Sequence, residues 1–123
     1  MTNGIASATD LQVTVDESTE GAVVRLRGRL SICSSPAFRD QLLAVLGRPS
    51  ARDVVVDLTE VSYIDASGIA TLVEGLKTAR EGRNTLSLKG LQGRVLHLFE
   101  VTGLLDLFGT NGPRSASTAL KVF

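Results

Sequence analysis

Apolar and polar residues alternate with a period of two in two neighbouring stretches near the start of the chain. The first, LQVTVDE, covers residues 11–17, and the second, AVVRLRGRL, covers residues 22–30. Such alternation is typical of strands with one wet face, and the STEG between them supplies turn residues. The pattern predicts an antiparallel hairpin, in which the row Arg25, Arg27 and Arg29 forms a solvated sheet face rather than a binding patch.

Helical spacing of apolar residues follows in SSPAFRDQLLAVLG, residues 34–47. One of the two opening serines is available as N-cap, Pro36 stands at the first helical position, and Gly47 ends the apolar stripe. The next apolar run, DVVVDL, has little alternation, which is typical of a strand covered on both faces. We therefore expect residues 54–58 to lie in the middle of a sheet.

A second helix is predicted from residue 69 onward. Its apolar stripe consists of Ile69, Leu72, Val73, Leu76 and Ala79, and the residues expected to face outward are Thr71, Glu74, Thr78 and Glu81. Gly75 costs this helix about 1 kcal/mol relative to alanine, and its small size would permit a close neighbour.

The last third of the chain continues the alternation of strand and helix. NTLSLKG predicts a strand with Leu86 and Leu88 inward, GRVLHLFEVTG a helix ended by Gly103, LLDLFG an apolar segment against the core, and ASTALKVF a last short helix. This order predicts a small α/β domain. We expect residues 1–10 to be a flexible N-terminus and residues 11–123 to form a single domain.

Composition narrows the classes of partner. The chain has 123 residues, with 13 basic and 13 acidic side chains, so it lacks the overall positive charge that favours nucleic-acid binding. No window approaches the roughly 20 apolar residues that a membrane span needs, and the first ten residues do not form a secretory signal. We therefore expect a soluble cytoplasmic protein that binds no nucleic acid and does not insert directly into a membrane.

Residues with catalytic or metal-binding chemistry are few. Cys33 and His97 are the only cysteine and histidine, so the sequence predicts neither a disulfide nor a metal site, and no cofactor motif is present. We expect Cys33 to be a small half-buried filler and His97 a packed or half-exposed helix residue. Ser67 does not stand in a Gly-x-Ser-x-Gly elbow. We therefore predict that the protein is not an enzyme.

A short polar hinge, Asp65 to Gly68, separates a strand from the helix after it in VSYIDASGIATLVEGL. Such a hinge lies at the carboxyl end of a strand, where ligands and partners gather in α/β sheets. Asp65 or Ser67 can accept hydrogen bonds from the first amides of the helix. Gly68 allows a tight approach of the chain or of a partner.

The hinge and its flanks resemble those of the STAS domain family, and in particular the bacterial anti-sigma factor antagonists. The resemblance rests on VVVDLTEVSYIDASGIATLVEGL, with support from VVRLRGRLSICSSPAFRDQLLAVL and RVLHLFEVTGLLDLF. It implies the STAS fold, a small mixed β-sheet of four to five strands with an N-terminal antiparallel hairpin and about four helices packed on it. It also implies partner switching on an anti-sigma factor that is usually a serine kinase.

Three positions depart from the pattern of these antagonists. The family's usual phosphoacceptor, the first residue after the aspartate, is Ala66 here, and Arg29 and Ser31 replace two acidic residues nearby. The protein is then a constitutively active antagonist, an antagonist switched by phosphorylation of Ser67, or a module that binds something other than an anti-sigma factor. An engineered Ser-to-Ala change would look the same. The resemblance implies a partner-binding surface made of Asp65, Ala66, Ser67, Gly68, Thr71 and Glu74.

Other functions remain open within the same fold. A STAS subunit of an ABC-type lipid transport system would bind its transport ATPase and would need no phosphorylation. A scaffold of a stress-signalling complex is a further alternative. A homodimer is compatible with each of these functions.

Overall fold

The described residues fold around a five-stranded mixed sheet in the order β1-β2-β3-β4-β5. The structure is a computed structural model that describes residues 3–8, 10–19, 21–48, 52–82 and 84–109. The strands are β1 Asn3–Ala8, β2 Leu11–Glu17, β3 Gly21–Leu30, β4 Asp53–Ile64 and β5 Thr85–Lys89. β1, β2 and β3 pair antiparallel, and β3, β4 and β5 pair parallel. The predicted hairpin, β2 with β3, is confirmed.

Four helices are present in the described residues. They are α1 Ser35–Leu46, α2 Ala66–Glu81, α3 Gly93–Val101 and α4 Leu104–Gly109. α1 joins β3 to β4, α2 joins β4 to β5, and the two helices pack against each other. The predicted α/β class, strand number and helix number are confirmed. The predicted last helix, ASTALKVF, lies outside the described residues.

β1 is a strand that the sequence does not predict. Its residues Asn3–Ala8 pair with β2 in a segment that we expected to be flexible, with Gly4 opposite Val15. The segment NGIASA has one large apolar residue and no sustained alternation, so it carries little of the signal that indicates a strand. The extent of the single domain, residues 11–123, stays a prediction.

The core lies on one face of the sheet, beneath the helices. Its strand residues include Leu11, Val13, Val24, Leu26, Val54, Val56, Leu86 and Leu88, and its helix residues include Phe38, Leu42, Leu72, Leu76 and Phe99. These are the apolar stripes that the periodicity predicts. Burial of this surface is the main source of stability for a domain of this size.

The prediction that the middle of β4 is covered on both faces is wrong. β4 does lie between β3 and β5, but burial alternates along it, with Val54 and Val56 fully buried and Val55 and Asp57 half-buried. Asp57 faces a groove of about 510 Å³ lined by the side chains of Arg25 and Lys89, among others. Neighbouring strands therefore shield β4 on this open face. The arginine row of β3 is exposed, as predicted.

Helix α4 closes one side of the core. Phe108 is fully buried, and its ring centroid lies 6.0 Å from that of Phe99 on α3, with the two planes tilted by 55°. The prediction that LLDLFG lies against the core is confirmed, although its helical form was not predicted. Tilted aromatic pairs of this kind add stabilisation beyond the buried area.

Candidate functional site

The hinge between β4 and α2 is organised by one carboxylate. Asp65 has extended backbone angles at the N-cap position, and its Oδ1 accepts hydrogen bonds from the backbone N–H groups of Ser67 at 3.0 Å and Gly68 at 3.2 Å. Its Oδ2 accepts the N–H of Ile32, in the β3–α1 loop, at 3.1 Å. The capping role predicted for Asp65 is confirmed. The same side chain also joins two loops that are 33 residues apart.

These hydrogen bonds hold the pKa of Asp65 below its usual range. The largest cause is the hydroxyl of Ser67, which donates to Oδ1 at 2.6 Å. Partial burial opposes this shift, and the N–H groups of Gly68, Ile32 and Ser67 reinforce it. Hydrogen bonds to the ionised form lower the pKa of a carboxyl group. The hinge therefore carries a negative charge at neutral pH, at the partially positive end of α2.

A cluster of serines surrounds this carboxylate. Ser67 Oγ lies 3.1 Å from Ser35 Oγ, and Ser35 Oγ donates to the carbonyl of Ser31 at 2.7 Å. Ser34 does not cap α1 through its side chain, because its Oγ donates to the carbonyl of Arg29 at 2.8 Å. The sequence places these serines in loops but does not pair them. The pairing could have been predicted only from the fact that β3 and β4 both end at this edge of the sheet.

Ala66 and Gly68 flank Ser67 in different environments. Ala66 is the exposed first residue of α2, while Gly68 is buried. A Cβ atom on Gly68 would lie 2.7 Å from Leu30 Cγ and 2.9 Å from both Leu30 O and Ile64 Cγ1. Gly68 therefore allows α2 to approach β3 and β4 closely, as predicted. Gly75 has the equivalent place against α1, where a Cβ would lie 2.6 Å from Leu42 Cδ2.

Alanine substitutions at these two glycines are expected to differ. Gly68→Ala should lower the free energy of unfolding by about 1–3 kcal/mol, because the new methyl group meets the rigid carbonyl of Leu30. Gly75→Ala meets the terminal methyl of Leu42, which can move, and the gain in helix propensity of about 1 kcal/mol offsets the crowding. Urea denaturation of both variants measures the difference. Equal losses would contradict the distinction between backbone and side-chain contacts.

A shallow depression of about 280 Å³ lies beside the hinge, between α1 and α2. Its lining includes Ile32, Pro36, Arg39, Ser67 and Ala70, and little of the lining is polar. The side chain of Ile32 is 73% exposed, although the backbone of this residue is held by Asp65. Ile32 lines the depression together with the exposed residues Pro36 and Ala70, and contiguous exposed apolar side chains mark interaction surfaces. The sequence did not single out Ile32.

The outward face of α2 departs from prediction at one residue. Thr71 is only 7% exposed, and its Oγ1 donates to the carbonyl of Ser67 at 3.0 Å, so the prediction that it faces outward is wrong. Glu74 is half-exposed and forms a bidentate ion pair with Arg39 of α1, at 2.7 and 2.8 Å, which lowers the pKa of Glu74.

The remaining candidate residues lie apart from the hinge chemistry. Cys33 is exposed, so the prediction of a half-buried filler is wrong: the β3–α1 turn directs it away from the core. His97 is an exposed residue of α3, so the prediction of a packed or half-exposed residue is wrong; it lies 3.9 Å from the carboxylate of Glu100. The described residues contain no group of three or more His, Cys, Asp or Glu side chains arranged to hold a metal ion. Within the same residues, no helix is long and apolar enough to cross a membrane.

Comparison with known proteins identifies the family. The family model described as "Mlab, STAS domain" matches residues 13–109. An anti-sigma-B factor antagonist of Staphylococcus aureus is 33% identical over 88 residues, which is 72% of this chain and 81% of the relative. The Bacillus subtilis anti-sigma-B factor antagonist is 28% identical over 98 residues, 80% of this chain and 88% of that protein.

Solved structures show the same fold. An anti-sigma factor antagonist from Mycobacterium paratuberculosis has a TM-score of 0.68 and 24% identity, covering 94% of this chain and 99% of that one. The unphosphorylated form of the anti-sigma factor antagonist SpoIIAA has a TM-score of 0.61 and 15% identity, covering 72% of this chain and 81% of that one. The family model and the Staphylococcus aureus relative show that the chain belongs to the STAS domain family.

Proposed function

We propose that this protein is a non-catalytic regulatory module, an anti-sigma factor antagonist that binds its partner through the hinge surface. We define the hinge surface as residues 65–68 together with Ile32, Ala70 and Glu74. One observation carries the proposal: a single carboxylate, Asp65, fixes both loops around exposed apolar side chains. The antagonist names of the curated relatives support the same function.

The composition of the hinge surface suits a protein partner. Ile32 and Ala70 are exposed beside a depression with little polar lining, and the Arg39–Glu74 ion pair lies at its rim. Apolar anchors surrounded by polar groups are the usual arrangement of an interface that excludes water from its centre. The backbone of the surface is already held by hydrogen bonds, so binding would cost little ordering.

The residues around the hinge favour a permanently binding-competent antagonist. Ala66 offers no hydroxyl to a kinase, and Ser67 Oγ is half-buried and already donates to Asp65. A phosphate adds about −1.5 to −2 charges, and on Ser67 these would stand against the charged carboxylate of Asp65. We therefore propose that Ser67 is a structural residue of the hinge and that this antagonist acts in the cytoplasm without the usual phosphorylation switch.

The proposal predicts a gain of phosphorylation on substitution at one position. With ATP and the serine-kinase anti-sigma factor of the source organism, Ala66→Ser should become labelled, while the native chain should remain unlabelled. Residue 66 is the exposed first residue of α2, so a new hydroxyl there would be accessible to the kinase. Phosphopeptide mass spectrometry gives the position of the label.

A matched control tests whether the position decides the result. Ala70→Ser introduces the same hydroxyl at another exposed position of α2, one turn further along, and should stay unlabelled. Ala66→Asp, which introduces charge without phosphorylation, should weaken binding of the native partner. Labelling of Ser67 in the native chain would contradict the structural role proposed for that residue.

Ala66 also favours a second candidate function, a STAS subunit of an ABC-type lipid transport system that binds its ATPase. Such a subunit binds its ATPase without a phosphorylation switch, so it does not need a hydroxyl at residue 66. Pull-down with the purified kinase and the purified transport ATPase of the same organism separates the two functions. Binding of the ATPase through Ile32, with no binding of the kinase, would replace the antagonist proposal.

A further inference from the structure

We infer that a second surface of this protein, the α3 groove, binds an acidic amphipathic helix of a partner protein. The α3 groove has a volume of about 480 Å³ and lies between α3 and the ends of β3 and β4. Its lining includes Arg29, Tyr63, Arg94, His97, Leu98 and Val101. It shares no lining residue with the depression beside the hinge. The inference therefore stands or falls separately from the proposed function.

The outward stripe of α3 lines one side of the groove. Arg94, His97, Leu98 and Val101 recur at the i, i+3, i+4 and i+7 spacing of one helix face, while Val95 and Phe99 are buried against the core. Val101 is 63% exposed and Tyr63, on β4, is 39% exposed. A helix lying along α3 would cover these side chains with its own apolar residues, one turn apart.

The charge of the groove indicates the sign of the partner. Arg25 and Arg27, the two arginines before Arg29 on β3, form ion pairs with Asp16, Asp57 and Glu60. Among the described residues, Arg29 and Arg94 have no carboxylate partner, and the guanidinium of Arg29 lies 4.2 Å from the centroid of the Tyr63 ring.

A stacked guanidinium keeps its N–H edges available for a carboxylate. Glu100, on the outer side of the same helix, is beside His97. Two unpaired cations beside exposed apolar side chains complement a helix that has leucines on one face and glutamates at its borders. Electrostatic complementarity of this kind mainly determines which partner binds and how fast.

Titration of two synthetic helices into the ¹⁵N-labelled full chain tests the inference. Both peptides have the same leucine stripe, one with glutamate and the other with lysine on its flanks. The acidic peptide should shift amide resonances of α3 and of the ends of β3 and β4, and it should bind at least about tenfold more tightly than the basic peptide. Its affinity should fall as salt is added.

The substitution Arg94→Glu should abolish this preference for the acidic peptide. Residue 94 lies in the first turn of α3, where glutamate suits the helix dipole, so the variant should stay folded. Arg52→Glu is the matched control, because it makes the same charge change on an exposed arginine just before the opposite end of β4. It should leave peptide binding unchanged.

Five results would overturn the inference. Equal binding of the two peptides, shifts elsewhere on the chain, or no shifts at millimolar peptide would show that the groove does not select an acidic helix. The resonances of α3 could shift with the concentration of the chain in the absence of peptide, and such shifts could disappear in Val101→Glu. That result would assign the groove to a second copy of this chain. Displacement of the acidic peptide by phosphatidylglycerol vesicles, but not by phosphatidylcholine vesicles, would assign it to anionic lipid.

Discussion

Replacing Phe108 by alanine is expected to lower the free energy of unfolding by about 3–5 kcal/mol. The ring is fully buried and packs on Phe99, so truncation removes a large apolar side chain and leaves a cavity. Helix α4 has only six residues, too few to be stable by itself. Its position therefore depends on the side chains that it inserts into the core, and Phe108 is the most buried of them.

Urea denaturation and amide hydrogen exchange measure this effect together. The matched control is Leu105→Ala in the same helix, since Leu105 is only partly buried and should cost about 1–2 kcal/mol. Loss of exchange protection should be confined to α4 when the rest of the domain stays folded. A loss below about 1 kcal/mol for Phe108→Ala would mean that α4 contributes little to the core.

Asp65→Ala is expected to lower the free energy of unfolding by about 2–3 kcal/mol, more than the usual loss of a helix cap. The carboxylate accepts two amides in the first turn of α2, those of Ser67 and Gly68, as well as the hydroxyl of Ser67 and the N–H of Ile32. Removing it leaves all four donors without this acceptor. The effect should appear as a lower urea midpoint and as faster exchange of the Ile32 amide.

Asp65→Asn separates the capping oxygen from the charge. Asparagine caps helices about as well as aspartate, so this variant should lose only about half as much free energy of unfolding as Asp65→Ala. Because the folded-state pKa of Asp65 is lowered, its ionisation stabilises the native protein above the unfolded-state pKa of about 3.9, and this contribution is lost as the pH falls through the folded-state value. The stability difference between native protein and Asp65→Asn should therefore be constant near neutral pH and shrink in acid. A constant difference throughout would contradict the role of charge.

The elements that could be predicted from sequence are those whose signal is local. Period-two alternation identified β2 and β3, and apolar stripes identified α1, α2 and α3, because each pattern reports one buried face. The cap at Asp65 was equally predictable, since its hydrogen bonds to residues 67 and 68 depend only on neighbours in the chain. Strand β1 had no such signal.

The parts of the site that could not be predicted depend on how distant segments meet. Ile32 and Asp65 come together only because β3 and β4 are parallel neighbours that end at the same edge. The exposure of Ile32 and Cys33 depends on the direction of the turn before α1, and Thr71 is buried through its bond to Ser67. Apolar periodicity carries no information on these contacts.

The bond between Asp65 and Ile32 also has a consequence for engineering. It divides the hinge surface into positions that support the backbone, Asp65 and Gly68, and positions that only display a side chain, Ile32, Ala66 and Ala70. Randomising the second group in a display library should yield folded domains with new binding specificities. Randomising the first group as well would give many unfolded clones. In a two-hybrid screen, the absence of an interaction signal from such clones would be mistaken for the loss of a contact with the partner.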